Sequence, residues 1–428
     1  MIRRWRQVPA ARVLAGMERA AFGACLALPL ALLHARPVAE VLIAAIDVLF
    51  VGRCVWLREA AWLRQPFSVA AGLWWVWLVI CSALGTGGLL LGILCIRLPV
   101  LAVALGEWVL AGQQHDGRRR LVWATLAAAA GWIVLESWQQ YLTGHNLFGQ
   151  GRWMDGALTG PFNKPRAGPE LILLFFPVVL PAAAALLARR TNGCRVAAGA
   201  LMLLATLTLL LIGQRMPTLL MLFGFGLCAL LVARLRVAAG LAAGAGLALV
   251  ATLPWVSPLS YAKLVEQTAP QIAHFAQSPY GLVFVRAFGV WEMRPWLGQG
   301  FDGFRRGCHS IWAMHGIDFL GIPTANLNGG FDACNVHPHN YYLEAWDNAG
   351  WPGLVLFAAM VGAALWQLGR GLGRQSPALR SGLFIGALVA LWPIASTSAF
   401  TSLPNAGWVF MILGLGFAAR EHRPSRLV

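Results

Sequence analysis

Charge is scarce in this sequence: 12% of its 428 residues are Asp, Glu, Lys or Arg, against 58% hydrophobic. A soluble domain carries about 25% charged residues, so a soluble enzyme and a disordered chain are both excluded. Lysine is nearly missing, with Lys164 and Lys263 the only two among 33 basic residues. Acidic residues number 17, which leaves a net charge of +16. That excess does not point to nucleic acid, because most of it lies in short loops between apolar runs. No small-residue cleavage site follows a single apolar core near Met1, so no removable signal peptide is expected. Clear internal repeats are also missing, which argues against a lipid or glycan transporter built from paired repeats with broken spans.

What fills the sequence instead is apolar runs of about 17–22 residues, each long enough to cross the hydrocarbon core as a helix. Backbone groups in lipid must hydrogen-bond within their own segment, so such runs mean helices. The mean hydropathy of +0.65 agrees. The expected fold is an all-α polytopic membrane protein of about 12 transmembrane helices with one large outer loop, itself helical. Spans are predicted at 21–35, 38–57, 68–85, 88–110, 121–142, 169–188, 196–213, 218–233, 237–254, 351–369, 381–396 and 405–419. Residues 1–254 then hold nine helices, 255–350 the large loop, and 351–428 three helices and a tail.

With both termini inside, the inner segments hold 22 basic residues and the short outer loops five: Arg36, Arg152, Lys164, Arg166 and Arg215. This follows the positive-inside rule. It also leaves the outer residues Lys164, Arg166 and Arg215 in need of another reason. Arg215 sits in the tight turn Gly213-Gln214-Arg215-Met216-Pro217, where it either snorkels to head groups or meets an anion. A guanidinium donates paired, planar hydrogen bonds that match phosphate. Lys164 and Arg166 make the turn before the sixth span basic, and Arg286 lies on a helix predicted over 281–293 in the large loop. Within the spans, Asp47, Arg97, Glu107 and Glu136 are ionisable groups in apolar surroundings, and Asp47 with Arg97 is a possible structural pair.

The large loop carries Trp255, Trp291, Trp296 and Trp312 and is predicted to lay helices 262–276 and 281–293 on the membrane surface, with Pro295 closing the second. Gly298-Gln299-Gly300-Phe301-Asp302-Gly303 has glycine spacing that suggests a phosphate cradle, but no strand precedes it and a turn is the better expectation. Cys308 and Cys334 are the only cysteines of eight in this loop. They are a disulfide candidate, worth about 3 kcal/mol for a loop of this length. Metal binding by Cys334 with His337 and His339 is the rival, weakened by the lack of a second cysteine nearby.

The loop ends in the most polar, most histidine-dense passage of the chain, Val336-His337-Pro338-His339-Asn340-Tyr341-Tyr342-Leu343-Glu344. Asn340 is the expected N-cap of a short helix, which Gly350 and Pro352 end before the next span. An imidazole at its ordinary pKa of about 6.5 accepts a proton at neutral pH, so His339 is the candidate general base. His337 is the competing base, with Pro338 expected to aim the two side chains apart.

His339-Asn340, nine residues, Gly350, two residues and Gly353 resembles the signature of the bacterial O-antigen ligase and polymerase superfamily, which follows a large periplasmic loop. Gly213-Gln214-Arg215 resembles that family's Ser-Arg-Gly turn. Arg286, Trp291, Pro295, Gly298, Gly300 and Phe304 resemble its Arg-x-x-x-Trp…Pro-x-x-Gly-x-Gly…Phe segment, and Gly160-Pro161-Phe162 another outer turn. The resemblance covers about 145–355 by motif. Three positions depart from it: Asn348 beside Asp347 where Glu is common, Gln214 for a small hydroxyl, and Arg166 where Asn is common.

The resemblance implies a multi-pass protein of the bacterial inner membrane with its site on the periplasmic face. It implies a metal-independent, cofactor-free glycosyl transfer from an undecaprenyl-pyrophosphate-linked glycan. His339 would activate the acceptor hydroxyl, while Arg215 and Arg286, with Arg166 and Lys164, would hold the pyrophosphate. His337, Asn340, Gly350 and Gly353 would support the site. A single dominant loop favours the ligase, whose acceptor is a lipid A-core sugar, over the polymerase or a protein O-oligosaccharyltransferase.

Overall fold

The computed structural model describes residues 2–310, 334, 337–373, 376–395 and 399–420. Val336, Trp312, Arg374, Arg423 and Arg426 lie outside the described residues. The chain runs α1 (Ile2–His34), α2 (Arg36–Leu57), α3 (Pro66–Leu84), α4 (Leu89–Leu94), α5 (Arg97–Ala104, continued by a π turn Leu105–Val109) and α6 (Asp116–Thr143). It continues with α7 (Ala167–Ala188), α8 (Asn192–Ile212), α9 (Arg215–Leu231), α10 (Arg236–Val256), α11 (Pro258–Tyr261), α12 (Thr268–Ala273), α13 (Pro279–Glu292) and α14 (Gly303–Gly307). The last three are α15 (Tyr341–Gly369), α16 (Ala378–Ala390) and α17 (Asn405–Arg420).

Eight helical segments are long and apolar enough to cross a membrane, and α9, α16 and α17 are shorter apolar helices. The chain is a polytopic, all-helical membrane protein among the described residues. Each predicted span overlaps a helical segment, with 88–110 divided between α4 and α5 and 381–396 outrunning α16. The segment outside both groups is α2, whose 22 residues include Arg36, Glu40, Asp47 and Arg53. Asp47 and Arg97, left open as a pair by the sequence, are not in direct contact. Arg97 instead donates to both carboxylate oxygens of Glu40, at 2.7 and 2.8 Å.

The centre is α17, apolar all round and buried along 405–418, as a helix without a polar face must be. Around it α16 packs along α7, α15 along α3, and α1 against α2. The joint between α16 and α17 receives the helix that follows the histidines. Asn340 Nδ2 donates to the Pro393 carbonyl at 2.7 Å, the Tyr342 hydroxyl to the Leu391 carbonyl at 2.9 Å, and the Phe400 amide to Glu344 Oε2 at 2.8 Å.

The large loop differs from expectation in two places. The helix predicted over 262–276 is broken into a π turn Ala262–Glu266, α12 and a 3-10 turn Phe275–Gln277, with α11 just before it. Pro270 supplies no amide to a continuous helix, and the breaks turn the Lys263 carbonyl and the Gln267 and Gln271 side chains toward Arg215. The helix predicted over 281–293 is present as α13, started by Ser278, whose hydroxyl accepts from the Gly281 amide at 3.0 Å, and by Pro279 in its first turn.

The glycine-rich stretch is a clasp and not a phosphate cradle, because its amides are already used. Gln299 and Gly300 donate to the carbonyls of Asp347 and Asn348 at 2.8 and 2.9 Å, and Gly303 donates to Asn348 Oδ1 at 2.8 Å. Phe301 donates to Ser82 Oγ at 2.9 Å, tying the same strand of chain to α3. Across the clasp, Gly350 breaks α15 with φ +62° and ψ −164°, a region open essentially to glycine alone. A Cβ there would meet the Trp296 backbone at 2.4 Å. Gly350→Ala is therefore expected to cost several kcal/mol, on the order of the strain plus a clash with immovable backbone. Size-exclusion chromatography of the detergent-extracted variant checks this: aggregation or loss of the monodisperse peak is the expected outcome.

Candidate active site

His339 occupies the residue before the cap of α15, in the left-handed region with φ +54°. That conformation is uncommon outside glycine, with histidine among the residues that tolerate it. It persists because both neighbours are fixed. Asn340 Oδ1 accepts from the amides of Tyr342 and Leu343 at 2.9 and 3.1 Å, closing the N-terminus of α15. On the other side the His339 amide donates to His337 Nδ1 at 3.2 Å.

The two imidazoles are not aimed apart. Their ring centroids lie 4.4 Å from each other at 72°, because the positive φ of His339 folds the chain back over Pro338. The contact also sorts their roles. His337 Nδ1 is occupied as an acceptor, and burial, followed by the neighbouring His339, pushes the His337 pKa down to about 3. His337 is thus a neutral prop with no free basic lone pair on Nδ1. Because the unfolded chain binds a proton at His337 near pH 6.5 and the folded chain only near pH 3, stability is complete above that window and falls as pH drops through it. Melting in detergent is expected to drop between about pH 7.5 and 4.5, and His337→Gln, which keeps an acceptor without a titrating group, to shrink that drop.

Against the other side of His339 lies Tyr280 of α13, edge to face at 5.9 Å. Tyr280 is also within electrostatic reach of Arg215, so it connects the histidine to the arginine turn. Nothing in the amino-acid pattern singles out Tyr280 beyond its place in the opening turn of α13. Arg215 itself, at the start of α9, donates to the Lys263 carbonyl at 2.7 Å and to the side chains of Gln267 and Gln271. Lys263 in turn pairs with Asp155. Arg215 is therefore positioned by neutral oxygens from a loop about 50 residues downstream; Asp155, paired with Lys263, acts on it only from beyond direct contact.

Arg286 is on α13, six residues beyond Tyr280, and is 1% exposed. Six residues are about 9 Å of helix rise. Lys164 is exposed on its turn. Arg166 stands elsewhere: it caps α7 and lines a cavity of about 410 Å³ with His34 and Arg36, whose lining includes neither Arg215 nor His339. Gln214 explains part of this. Its side chain accepts from the Gly168 amide at 3.0 Å and donates to the Pro165 carbonyl at 2.8 Å, fixing the 165–168 turn against the start of α9.

Cys308 and Cys334 form a disulfide with Cα atoms 5.6 Å apart. It anchors the segment before His337 to the end of α14, and it removes Cys334 as a thiolate ligand. Among the described residues no group of three or more His, Cys, Asp or Glu side chains converges. The chemistry on offer is a polar corner with two imidazoles packed together, a tyrosine, and two arginines on the adjoining elements.

Residues 200–358 match the family described as O-antigen ligase, a span that takes in α9, the whole large loop, the histidines and the Gly350 break. Over this segment the chain is similar to the O-antigen ligase family. No curated protein matches the chain significantly in sequence.

Proposed function

We propose that the chain is an inner-membrane glycosyltransferase that moves an O-antigen glycan from undecaprenyl pyrophosphate to a sugar hydroxyl of lipid A-core, working at the periplasmic face. The observation that supports this is the packing of His339 between His337 and Tyr280 in the matched segment, with Tyr280 in turn within electrostatic reach of Arg215. His339 takes the proton from the acceptor hydroxyl, whose oxygen attacks the anomeric carbon of the donor sugar. The bond from that carbon to the pyrophosphate oxygen breaks, and undecaprenyl pyrophosphate leaves. Arg215 and Arg286 receive the charge that grows on the departing oxygen.

The topology that fits this reading has twelve crossings, both termini in the cytoplasm and the 255–350 loop outside, in keeping with the 22 basic residues on the inner side. Because guanidinia provide the positive charge for the leaving group, no divalent cation is required. Transfer by the purified protein is expected to stay within about twofold of its rate after exhaustive chelation with EDTA, well short of the loss of several kcal/mol that removal of a catalytic metal brings.

A lipopolysaccharide gel tests the acceptor. In a ligase-deleted Gram-negative host supplied with matching core and O-antigen genes, the chain is expected to restore the ladder. Accumulation of single lipid-linked repeats with no ladder would assign the polymerase reaction instead.

A further inference from the structure

The cavity that holds Arg166 belongs to neither the histidine corner nor the clasp, and its composition is unusual for this chain. It is a cleft of about 410 Å³ bounded by the α1–α2 turn (Leu33, His34, Arg36, Pro37), by Phe148 and Gln150, and by Pro161, Phe162, Asn163 and Arg166. Two of the chain's arginines thus share one wall. Arg36 has no ion pair or side-chain hydrogen bond among the described residues, and neither does Arg166. They are close enough that burial, and after it the charge of Arg36, push the Arg166 guanidinium below its usual value, while Glu170 acts the other way. Glu170 is buried, and its Oε2 accepts from the Trp408 indole at 3.2 Å, so it does not close an ion pair with either arginine.

The rest of the wall is suited to a ligand with an apolar or ring-shaped body. His34 packs against Phe148 and Phe162, with centroids at 5.6 and 6.3 Å. His34 Nε2 accepts from the Trp132 indole at 3.0 Å, which leaves Nδ1–H as a further donor. The opposed ends of α1 and α2 meet at this turn and offset one another, whereas α7 opens toward the cleft through its cap, Arg166, with its positive end. Glu170 offsets the two guanidinia only from a distance, so an anion in direct contact with both relieves the repulsion that remains between them.

We propose that this cleft is a second anion site, which binds a phosphoryl group through Arg36 and Arg166 while Phe148 and Phe162 cover the body that carries it. The site is separate from the donor pyrophosphate position at Arg215 and Arg286 and does not depend on that reading. A free phosphate and a lipid headgroup present the same chemistry, and the test separates them.

The full chain in dodecyl maltoside, a phosphate-free background, is titrated with inorganic phosphate and separately with phosphatidylglycerol mixed into the micelles. Arg36→Gln/Arg166→Gln is expected to weaken binding at least tenfold, while Arg152→Gln, an arginine outside the cleft, leaves it unchanged. Loss with both ligands assigns a site for any phosphoryl group. Loss with the lipid alone assigns the headgroup as the source. Equal binding by wild type and the double variant overturns the proposal, as does an equal loss with Arg152→Gln. Arg36→Lys/Arg166→Lys guards against misfolding: with an unchanged melting temperature it is expected to recover part of the affinity, because charge is kept and paired donation lost.

Discussion

His339→Ala is expected to lower glycan transfer by about a hundredfold to ten-thousandfold, the range that a positioned general base supplies. His339→Gln is expected to be as damaging, since an amide keeps the shape and hydrogen bonding of an imidazole but takes no proton. The neighbouring His337→Gln is expected to lose far less, because its Nδ1 serves the His339 amide and glutamine offers an oxygen in its place. Rates from the purified protein with a lipid-linked donor, at matched monodispersity, decide between them. A His339→Gln protein as fast as wild type, or a His337→Gln protein as impaired as His339→Gln, contradicts the division of roles drawn from the ring contact.

Arg215→Gln is expected to cost about a hundredfold to a thousandfold in transfer, the loss typical when one donor to a developing oxyanion is removed. Arg215→Lys is expected to recover little, since a single ammonium cannot keep the contacts to the Lys263 carbonyl, Gln267 and Gln271 together and still present a planar pair of donors to pyrophosphate. The fall should appear in kcat as well as in KM for the donor, because charge on the leaving oxygen appears fully only in the transition state. If Arg215→Gln raises KM alone, the arginine binds the donor without assisting departure. Gln271→Ala separates positioning from chemistry: it removes one support of the guanidinium and is expected to cost about tenfold or less, the loss of about one hydrogen bond.

Much of this was legible in the chain. Apolar runs in lipid have one local solution, so the helices were readable without tertiary information. Asn340 as a cap and Gly350 as a break are local chemistry too, and each stands where the spacing puts it. What escaped depends on segments far apart in sequence. The orientation of His337 against His339 follows from one left-handed residue held by the 391–400 joint. Arg97 chooses Glu40 over Asp47 because of the register between two helices, which periodicity alone does not set. The amides of Gln299, Gly300 and Gly303 look free in the sequence and are consumed by residues about 45 positions away. Arg166 was grouped with the other outer arginines on charge alone, and the packing of the α1–α2 turn puts it in a different cleft.

The departures from the family pattern also acquire physical reasons. Asn348 is the acceptor that closes the clasp through Gly303, and Gln214 is long enough to reach both Pro165 and Gly168 where a small hydroxyl is not. They alter how the site is braced, and Arg166 alters what stands beside it.

The central claim is that a pyrophosphate leaving group is expelled as the glycan is passed on. The measurement that tests it most directly is the stoichiometry of undecaprenyl pyrophosphate released per glycan transferred, made with the purified protein, a lipid-linked donor and a lipid A-core acceptor. One molecule released for each glycan transferred, with both products vanishing in His339→Ala, is the predicted result. Donor moved or consumed without matching release of undecaprenyl pyrophosphate, or equal release by His339→Ala, would contradict it.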